Sequence, residues 1–535
     1  MLIIVINSIF ILISFRKLTA SLVLWSLSAT ARLLGSSPES GKVLKDFSIR
    51  YFSVTARSLH LCPLDFNWLA PNNIRICNIT GEIRAVVLVL TFAYPFGEYI
   101  KLYFFSEYDA KDLYGPEITD KDGALLDAHD SFYLTTKSLL VLFQIMGVMP
   151  IMRVPKNAQT TKRTTYNWIS KATLWAYLVW SLECIIVVKV GRERLANFQS
   201  SSNKRFDEVI YNIIFLSILI PHFLLPIASW RHGPQVAVFK NMWTHYQLKY
   251  LKITGTPIVF PNLYSLTWGL CVFSWGLSFA VILSQHYLQD DFELWHSFAY
   301  YHIIAMLDGF CSLWYINCNA FGTASRGLAM NLHKALEAEH PALKVAQYRH
   351  LWVDLSHMMQ QLGRAYSNMY GIYCMVIFFT TTISLYGALS EILEHGLSYK
   401  EMGLFVIVGY CMTLLFIICN EAYHASRKVG LEFQVRLLNI NLGAVDRSTQ
   451  REVEMFLVAI SKNPPIMNLD GFTNINRELF AANVSFMSTY LIVLMQFKLT
   501  LLRQSARKTL RSVIKAVYNT TTTILDDDDT EDDIE

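Results

Sequence analysis

Residues 263–288 read LYSLTWGLCVFSWGLSFAVILSQHYL and include no Asp, Glu, Lys or Arg. A helix needs about 20 consecutive apolar residues to cross the hydrocarbon core of a bilayer, and this stretch is long enough. Hydrocarbon offers no partner to a free backbone amide, so such a stretch is stable there only when its own backbone groups are paired, as in a helix. Residues 263–288 therefore predict a membrane-spanning helix.

Six more apolar runs of similar length occur along the chain. The seven predicted spans are approximately residues 168–188, 209–230, 263–288, 294–318, 366–390, 402–420 and 481–502. Overall 53% of the residues are hydrophobic and 16% are charged, against roughly 25% charged in soluble domains. The sequence predicts an all-α, polytopic membrane protein in the lipid bilayer and disfavours a soluble enzyme.

The loops between these spans differ in positive charge, which marks the cytosolic side. One set of alternate loops carries 20 Lys and Arg residues and the other carries five. The N-terminus is therefore predicted to be cytosolic and, after seven spans, the C-terminus external. Six more positive residues after Phe497 reduce the difference to 20 against 11. This orientation disfavours a G-protein-coupled receptor, whose N-terminus is outside.

The chain is predicted to have three parts. Residues 1–130 form a poorly defined N-terminal extension, cytosolic or interfacial, in which membrane entry by 2–34 or 85–105 is left open. Residues 131–505 hold the seven spans, with cytosolic helical extensions, and 506–535 form an acidic tail in which eight of the last ten residues are Asp or Glu. Asn519 begins the sequon Asn-Thr-Thr and is a glycosylation candidate in this external tail.

Motifs for other classes of protein are missing from the sequence. It has no H-E-x-x-H, G-x-S-x-G or phosphate-binding G-x-x-x-x-G-K-[ST] pattern, so no catalytic residue is assigned. The nine cysteines form no C-x-x-C pair and predict packing roles, with no metal or cofactor. The positive residues form no dense basic stripe, which disfavours nucleic-acid binding.

Four ionisable residues lie inside the predicted spans and away from the span ends: Glu183, His222, His302 and Asp308. Such residues are costly in a membrane and mark either functional sites or satisfied structural pairs. His302 and Asp308 are about 120° apart around one helix, so each needs a partner on another helix.

The last span carries a polar stripe. At about 100° per residue, Ser485, Thr489, Ile492 and Gln496 fall within a 60° arc. Periodicity leaves two interpretations open, hydrogen bonding between helices and the wall of a pore, and favours the first. A second pattern, the apolar face of Val453, Phe456, Leu457 and Ile460, is a candidate contact with a neighbouring subunit.

Residues 489–497, TYLIVLMQF, look like the T-Y-h-h-h-h-h-Q-F signature of insect gustatory receptors, where h is apolar. Longer stretches resemble the carbon dioxide receptor branch of that family. They are SFYLTTKSLLVLFQIMGVMP at 131–150, FAYYHIIAMLDGFCSLW at 298–314, YRHLWVDLSHMMQQLG at 348–363, EVEMFLVAI at 452–460 and NLDGFTNINR at 468–477. The resemblance covers about residues 125–505.

The resemblance implies a subunit of a tetrameric, ligand-gated cation channel in the plasma membrane of sensory neurons. It also implies a sister carbon dioxide receptor subunit as the partner, with which the chain is expected to form a hetero-tetramer. Seventh helices of the family surround one pore, which favours the pore interpretation of the stripe. Ser485, Thr489, Ile492, Gln496 and Phe497 are then the expected pore-lining residues.

Carbon dioxide, the implied ligand, is linear and uncharged, so its pocket should be narrow and mostly apolar with a few donors. The family pocket lies among the outer halves of the first six spans. The candidates there are Trp275, Ser278, Tyr300, Tyr301, His302, Thr381, Tyr386 and Tyr410. Because no Lys or Arg lies in the middle of a span, the gas is preferred over bicarbonate. A secondary transporter of a small solute and a non-conducting partner subunit remain alternatives.

Overall fold

The computed structural model describes residues 130–155, 162–200, 206–288, 292–396 and 399–528. The elements in chain order are α1 Ser131–Ile145, β1 Met152–Pro155, β2 Lys162–Thr165, α2 Lys171–Ser200, α3 Phe206–Leu219, α4 Pro221–Arg231, α5 Gly233–Thr254, α6 Leu263–Leu288, α7 His296–Leu336, α8 Pro341–Ala365, α9 Ser367–His395, α10 Tyr399–Val429, α11 Leu431–Leu438, α12 Arg447–Lys462 and α13 Arg477–Asp528. A short 3-10 turn, Leu442–Ala444, precedes α12. The predicted all-α fold is confirmed, with one short antiparallel pair formed by β1 and β2.

Six stretches of the described chain are long and apolar enough to cross a membrane. They are Lys171–Ala196, Asn212–Arg231, Leu263–Leu288, Ser367–Leu393, Met402–Leu438 and Arg477–Thr500. Each overlaps one predicted span, and α6 has the predicted bounds. The second predicted span, 209–230, is divided between α3 and α4, where Pro221 stands at the start of α4 and cannot donate a backbone hydrogen bond.

The predicted span at 294–318 lies in α7, a helix of 41 residues. At 1.5 Å per residue α7 is about 60 Å long, twice the hydrocarbon thickness. It packs against α6, α8 and α10, and most of its residues are buried. A helix surrounded by protein need not be compatible with lipid, which explains why α7 carries more polar residues than the six stretches above.

Contacts of aromatic residues hold α7 in place. The Trp314 indole donates to the carbonyl of Ile418 at 3.0 Å, and the Tyr370 hydroxyl donates to the carbonyl of Phe310 at 2.8 Å. At Gly309 a Cβ atom would lie 2.9 Å from the Phe143 ring, so α1 approaches α7 closely only because this position has no side chain.

The helices after α7 form a second packed region. Trp352 of α8 lies against Phe433 of α11 and Phe456 of α12. Val453, Phe456 and Ile460 are buried in the protomer. The expectation that this face of α12 contacts a neighbouring subunit is therefore wrong for these three residues, because α8 and α11 already cover it.

The last helix, α13, has 52 residues and is about 78 Å long. It packs against α9 and α10. Residues 506–528 of the predicted acidic tail belong to this helix. The predicted N-terminal extension at 1–130 lies outside the described residues except for Asp130, and the three-part division of the chain stays a prediction.

Candidate functional site

Helices α3, α6, α7, α9 and α10 meet around a cavity. Its volume is about 40 Å³, measured as space open to the centre of a water-sized sphere, whereas one water needs about 10–15 Å³ on this measure. A molecule of a few heavy atoms therefore fits. The cavity is lined by Phe215, Ile218, Pro221, Val281, Ile282, Gln285, Phe292, Tyr300, Ile304, Leu307, Val376, Ile377, Thr380, Ile407, Tyr410 and Cys411.

A buried carboxyl group is hydrogen-bonded to Tyr410, one of the residues that line this cavity. Asp308 of α7 is 3% exposed and accepts hydrogen bonds from the hydroxyls of Tyr410 at 2.8 Å and Ser278 at 2.9 Å. Since Tyr410 is on α10 and Ser278 is on α6, the three side chains join three helices. Asp308 thus has the partners on other helices that its position within a span requires.

A second polar group lies near the Phe215 and Tyr300 side of the cavity. Arg194 of α2 is 3% exposed, and its guanidinium carbon lies 4.8 Å from the centroid of the Phe215 ring. One guanidinium nitrogen is 3.3 Å from Nδ1 of His296, whose Nε2 is 3.3 Å from a carboxyl oxygen of Glu193. The cavity therefore has a cation beside it that the predicted spans did not include.

Two of the eight predicted pocket residues, Tyr300 and Tyr410, line the cavity. Ser278 is linked to it through Asp308. Tyr301 donates to the carbonyl of Trp275 at 3.4 Å, and neither residue lines the cavity.

The remaining three predicted pocket residues also lie outside the lining. Thr381 donates to the carbonyl of Ile377 within its own helix at 2.7 Å. The Nε2 atom of His302 lies 3.1 Å from the carbonyl oxygen of Met146. Tyr386 is half-buried on α9. The eight residues stay predictions as ligand contacts.

Sequence reasoning missed most of the lining residues because they are ordinary apolar side chains. Thr380, a polar lining residue, was missed for another reason: it is separated from the chosen Thr381 only by a rotation of about 100° around α9. Arg194 was missed because it follows the predicted span 168–188, whereas α2 continues to Ser200. The sequence feature that could have identified Arg194 is a basic residue about two helical turns after the end of an apolar run.

The other ionisable residues within spans form a separate group. The rings of His222 and His302 are 5.4 Å apart between centroids, and Nε2 of His222 is 3.8 Å from the sulfur of Cys184. Glu183 has one carboxyl oxygen that is buried without a hydrogen-bond partner among the described residues. The structure thus joins the two histidines and leaves Asp308 in another network.

The polar stripe of α13 faces away from the protomer. Ser485, Thr489, Ile492 and Gln496 are all exposed, with Ile492 at 59%. On the protomer side of α13, Met487 is buried. This exposure agrees with either a pore or a subunit contact. Within the protomer, the Thr489 hydroxyl donates to the Ser485 carbonyl of its own helix at 3.0 Å.

Phe497, the fifth predicted pore residue, and Asn519, the glycosylation candidate, both belong to α13. Over the described ranges, no three His, Cys, Asp or Glu side chains are grouped so as to hold a metal ion. The candidate functional site therefore consists of the cavity, the buried polar network around Asp308 and the exposed polar stripe of α13.

Comparison with known proteins identifies close relatives. The family model described as 7tm chemosensory receptor matches residues 136–501. Over 395 residues, the chain is 70% identical to gustatory and odorant receptor 22 of Anopheles gambiae, and the match covers 74% of this chain and 84% of that protein. Over 382 residues, it is 69% identical to gustatory and odorant receptor 21a of Drosophila melanogaster, covering 71% and 84%. Among solved structures it is similar to the insect olfactory receptor OR5 from Machilis hrabei, with a TM-score of 0.49, 16% identity and coverage of 68% of this chain and 97% of that chain.

Proposed function

The chain belongs to the 7tm chemosensory receptor family, and from this membership we propose that it is a subunit of a ligand-gated cation channel that detects carbon dioxide. Its resemblance to insect gustatory receptors is confirmed by the match to two gustatory and odorant receptors at 70% and 69% identity. It is a multi-pass membrane chemoreceptor. The proposal adds that the ligand is carbon dioxide, that the chain forms a pore with a sister subunit, and that its N-terminus is cytosolic. It places the receptor in the plasma membrane of sensory neurons.

The observation that carries the channel proposal is the exposure of the polar stripe on α13. Lipid would penalise Ser485, Thr489 and Gln496, so these exposed side chains need water or another subunit. Four copies of α13 around one axis would give these side chains both a water-filled pore and neighbouring subunits. The hydroxyl and amide groups would face the water, and Ile492 would form an apolar constriction.

The cavity supports carbon dioxide as the ligand. Carbon dioxide has three heavy atoms, two weak acceptor oxygens and no net charge, and the cavity is small and lined mainly by apolar side chains. The hydroxyl of Tyr410 is already held by Asp308, so the ligand would be recognised chiefly by shape.

Ligand size limits the energy available for gating. At most about 1.5 kcal/mol per heavy atom is available to very small ligands, or roughly 4 to 5 kcal/mol for carbon dioxide. Binding opens a channel only to the extent that the open state binds more tightly. The closed state must therefore be favoured by a small margin, or several subunits must bind.

The test is patch recording from cells that express this chain alone, its sister subunit alone, and both together, under stepped carbon dioxide. Single-channel steps that require both chains and follow the gas support the proposal. Saturating solute uptake without channel steps would identify a transporter. Currents from the sister alone that this chain merely increases would identify a non-conducting partner.

A second protocol separates the gas from bicarbonate, for which the buried Arg194 beside Phe215 is a candidate cation. Carbon dioxide is held constant while pH and bicarbonate change together. A constant current supports the gas as the ligand, and a current that follows bicarbonate contradicts it.

A further inference from the structure

Lys240 is a buried lysine that the channel proposal does not use. It lies on α5, outside the six membrane-spanning stretches, and is 4% exposed. Its Nζ atom has no hydrogen-bond partner among the described residues. The nearest aromatic contact is the ring of Phe132, whose centroid is 4.7 Å from Nζ.

The carboxyl group near Lys240 is occupied by other donors. Asp130 accepts from a guanidinium nitrogen of Arg153 at 2.9 Å and from the side-chain amide of Gln247 at 3.0 Å. It also accepts from the Thr244 hydroxyl at 3.3 Å. Arg153 thus compensates the charge of Asp130, and within the described part of the chain no salt bridge gives an ammonium group at Lys240 a carboxylate of its own.

Burial lowers the pKa of Lys240 from 10.5 to about 7, although the charge of Asp130 opposes the shift. Near neutral pH roughly half of such a side chain is an uncharged amine, about a thousandfold more than for an ordinary lysine. The uncharged amine is the nucleophilic form, and lysines in apolar surroundings gain reactivity in this way.

We propose that Lys240 is a carbamylation site, where the uncharged amine adds to carbon dioxide. This inference rests on the proposed function, because it takes carbon dioxide as the ligand. The nitrogen lone pair forms an N–C bond, one C=O electron pair moves onto oxygen, and the proton lost from nitrogen passes to water. Amine and gas thus yield a carbamate anion and one proton, and no oxidant or reductant is needed.

The new anion would change the contacts of α1. A carbamate close to Asp130 repels its carboxylate and competes for Arg153. Asp130 caps α1 by accepting from the backbone amide of Tyr133 at 3.2 Å. At the other end of α1, the Met146 carbonyl contacts His302 of α7 at 3.1 Å. A displacement of α1 therefore reaches α7, which lines the cavity.

The experiment traps the carbamate on the intact receptor. The complex with its sister subunit, in lipid nanodiscs, is equilibrated with isotope-labelled carbon dioxide and treated with triethyloxonium ion, which converts carbamates to stable ethyl esters. Peptide mass spectrometry is expected to find the labelled adduct on Lys240. Lys249 on the same helix is the internal control, because it is 46% exposed and paired with Asp354, and it should carry none.

Lys240→Met tests the role in gating, because methionine has similar length and cannot form a carbamate. A carbamate that contributes to opening predicts a shift of the carbon dioxide dose response by about fivefold or more, the lower end of ordinary coupling between sites. If Lys240 serves only for packing, Lys240→Met keeps the wild-type dose response, which would overturn the gating role.

The trapping experiment needs no variant, so a folding defect in Lys240→Met does not prevent a decision. Gas-dependent currents without an adduct on Lys240 overturn carbamylation and leave the proposed function intact. An adduct on Lys240 in a complex that shows no gas-dependent current supports carbamylation and contradicts the proposed function.

Discussion

The hydroxyl of Tyr410 donates a hydrogen bond of 2.8 Å to the carboxyl group of Asp308 and so joins α10 to α7. Tyr410 also lines the cavity. A ligand in the cavity therefore contacts a side chain that connects two helices, and α10 packs in turn against α13. This connection gives a route by which a small ligand affects the helix with the polar stripe.

Tyr410→Phe should destabilise the protein, because it removes one of the two donors to the buried Asp308. Hydrogen bonds between membrane helices contribute about 0.6 kcal/mol on average and up to about 1.7 kcal/mol. We expect a lower melting temperature in detergent and an altered carbon dioxide response. Tyr287→Phe is the control, since Tyr287 is 79% exposed. Equal melting temperatures for the two variants would contradict the structural role of Tyr410.

Ile407→Phe should reduce the carbon dioxide response by filling the cavity. Ile407 lines the cavity, and the larger phenylalanine ring would take up space that the ligand needs. Losing about 1–2 kcal/mol of the limited binding energy of so small a ligand corresponds to roughly a 5- to 30-fold loss of sensitivity in patch recording. Val406→Phe is the matched control, because the neighbouring Val406 is exposed. A wild-type dose response in Ile407→Phe at normal surface expression would remove the cavity from the ligand site.

Gln496→Ala should change ion permeation or gating without abolishing surface assembly, because the proposed pore places this amide in water. Selectivity and single-channel conductance in cells that express both subunits are the measurements. Phe486→Ala is the control, since Phe486 is exposed about 100° around α13 from Ser485. Unchanged permeation and gating in Gln496→Ala would reject the pore assignment.

Arg477→Ala should alter gating and leave single-channel conductance unchanged. Arg477 begins α13, donates to Oδ1 of Asn420 on α10 at 2.6 Å and lies 4.3 Å from the centroid of the Tyr423 ring. Loss of about 1 kcal/mol corresponds to roughly a fivefold change in the ratio of open to closed channels. Arg477→Lys should be intermediate, because lysine keeps the charge but lacks the planar fork. A changed conductance with normal gating would contradict a role in helix coupling.

The positions of the membrane helices were largely predictable from sequence. The apolar run at 263–288 has the bounds of α6, because the cost of an unpaired backbone in hydrocarbon depends on a local run of about 20 residues. The resemblance carried by residues 489–497 was likewise confirmed, since a motif of this kind depends only on order along the chain.

Contacts between distant residues were not predictable in the same way. The face of α12 was expected at a subunit interface, whereas α8 and α11 bury it. Asp308 was recognised as needing a partner, but Tyr410 and Ser278 became its partners only through the packing of α6, α7 and α10. A single sequence does not record which helix faces meet.

The amino-acid sequence by itself therefore determined a polytopic helical protein, the approximate bounds of its spans and its family. Those properties depend on hydropathy and residue order within short stretches. Only the tertiary structure decided which side chains line the cavity, which buried groups pair, and that the stripe of α13 faces out of the protomer. The physical reason is that burial and pairing depend on the relative rotation of several helices, which long-range packing sets.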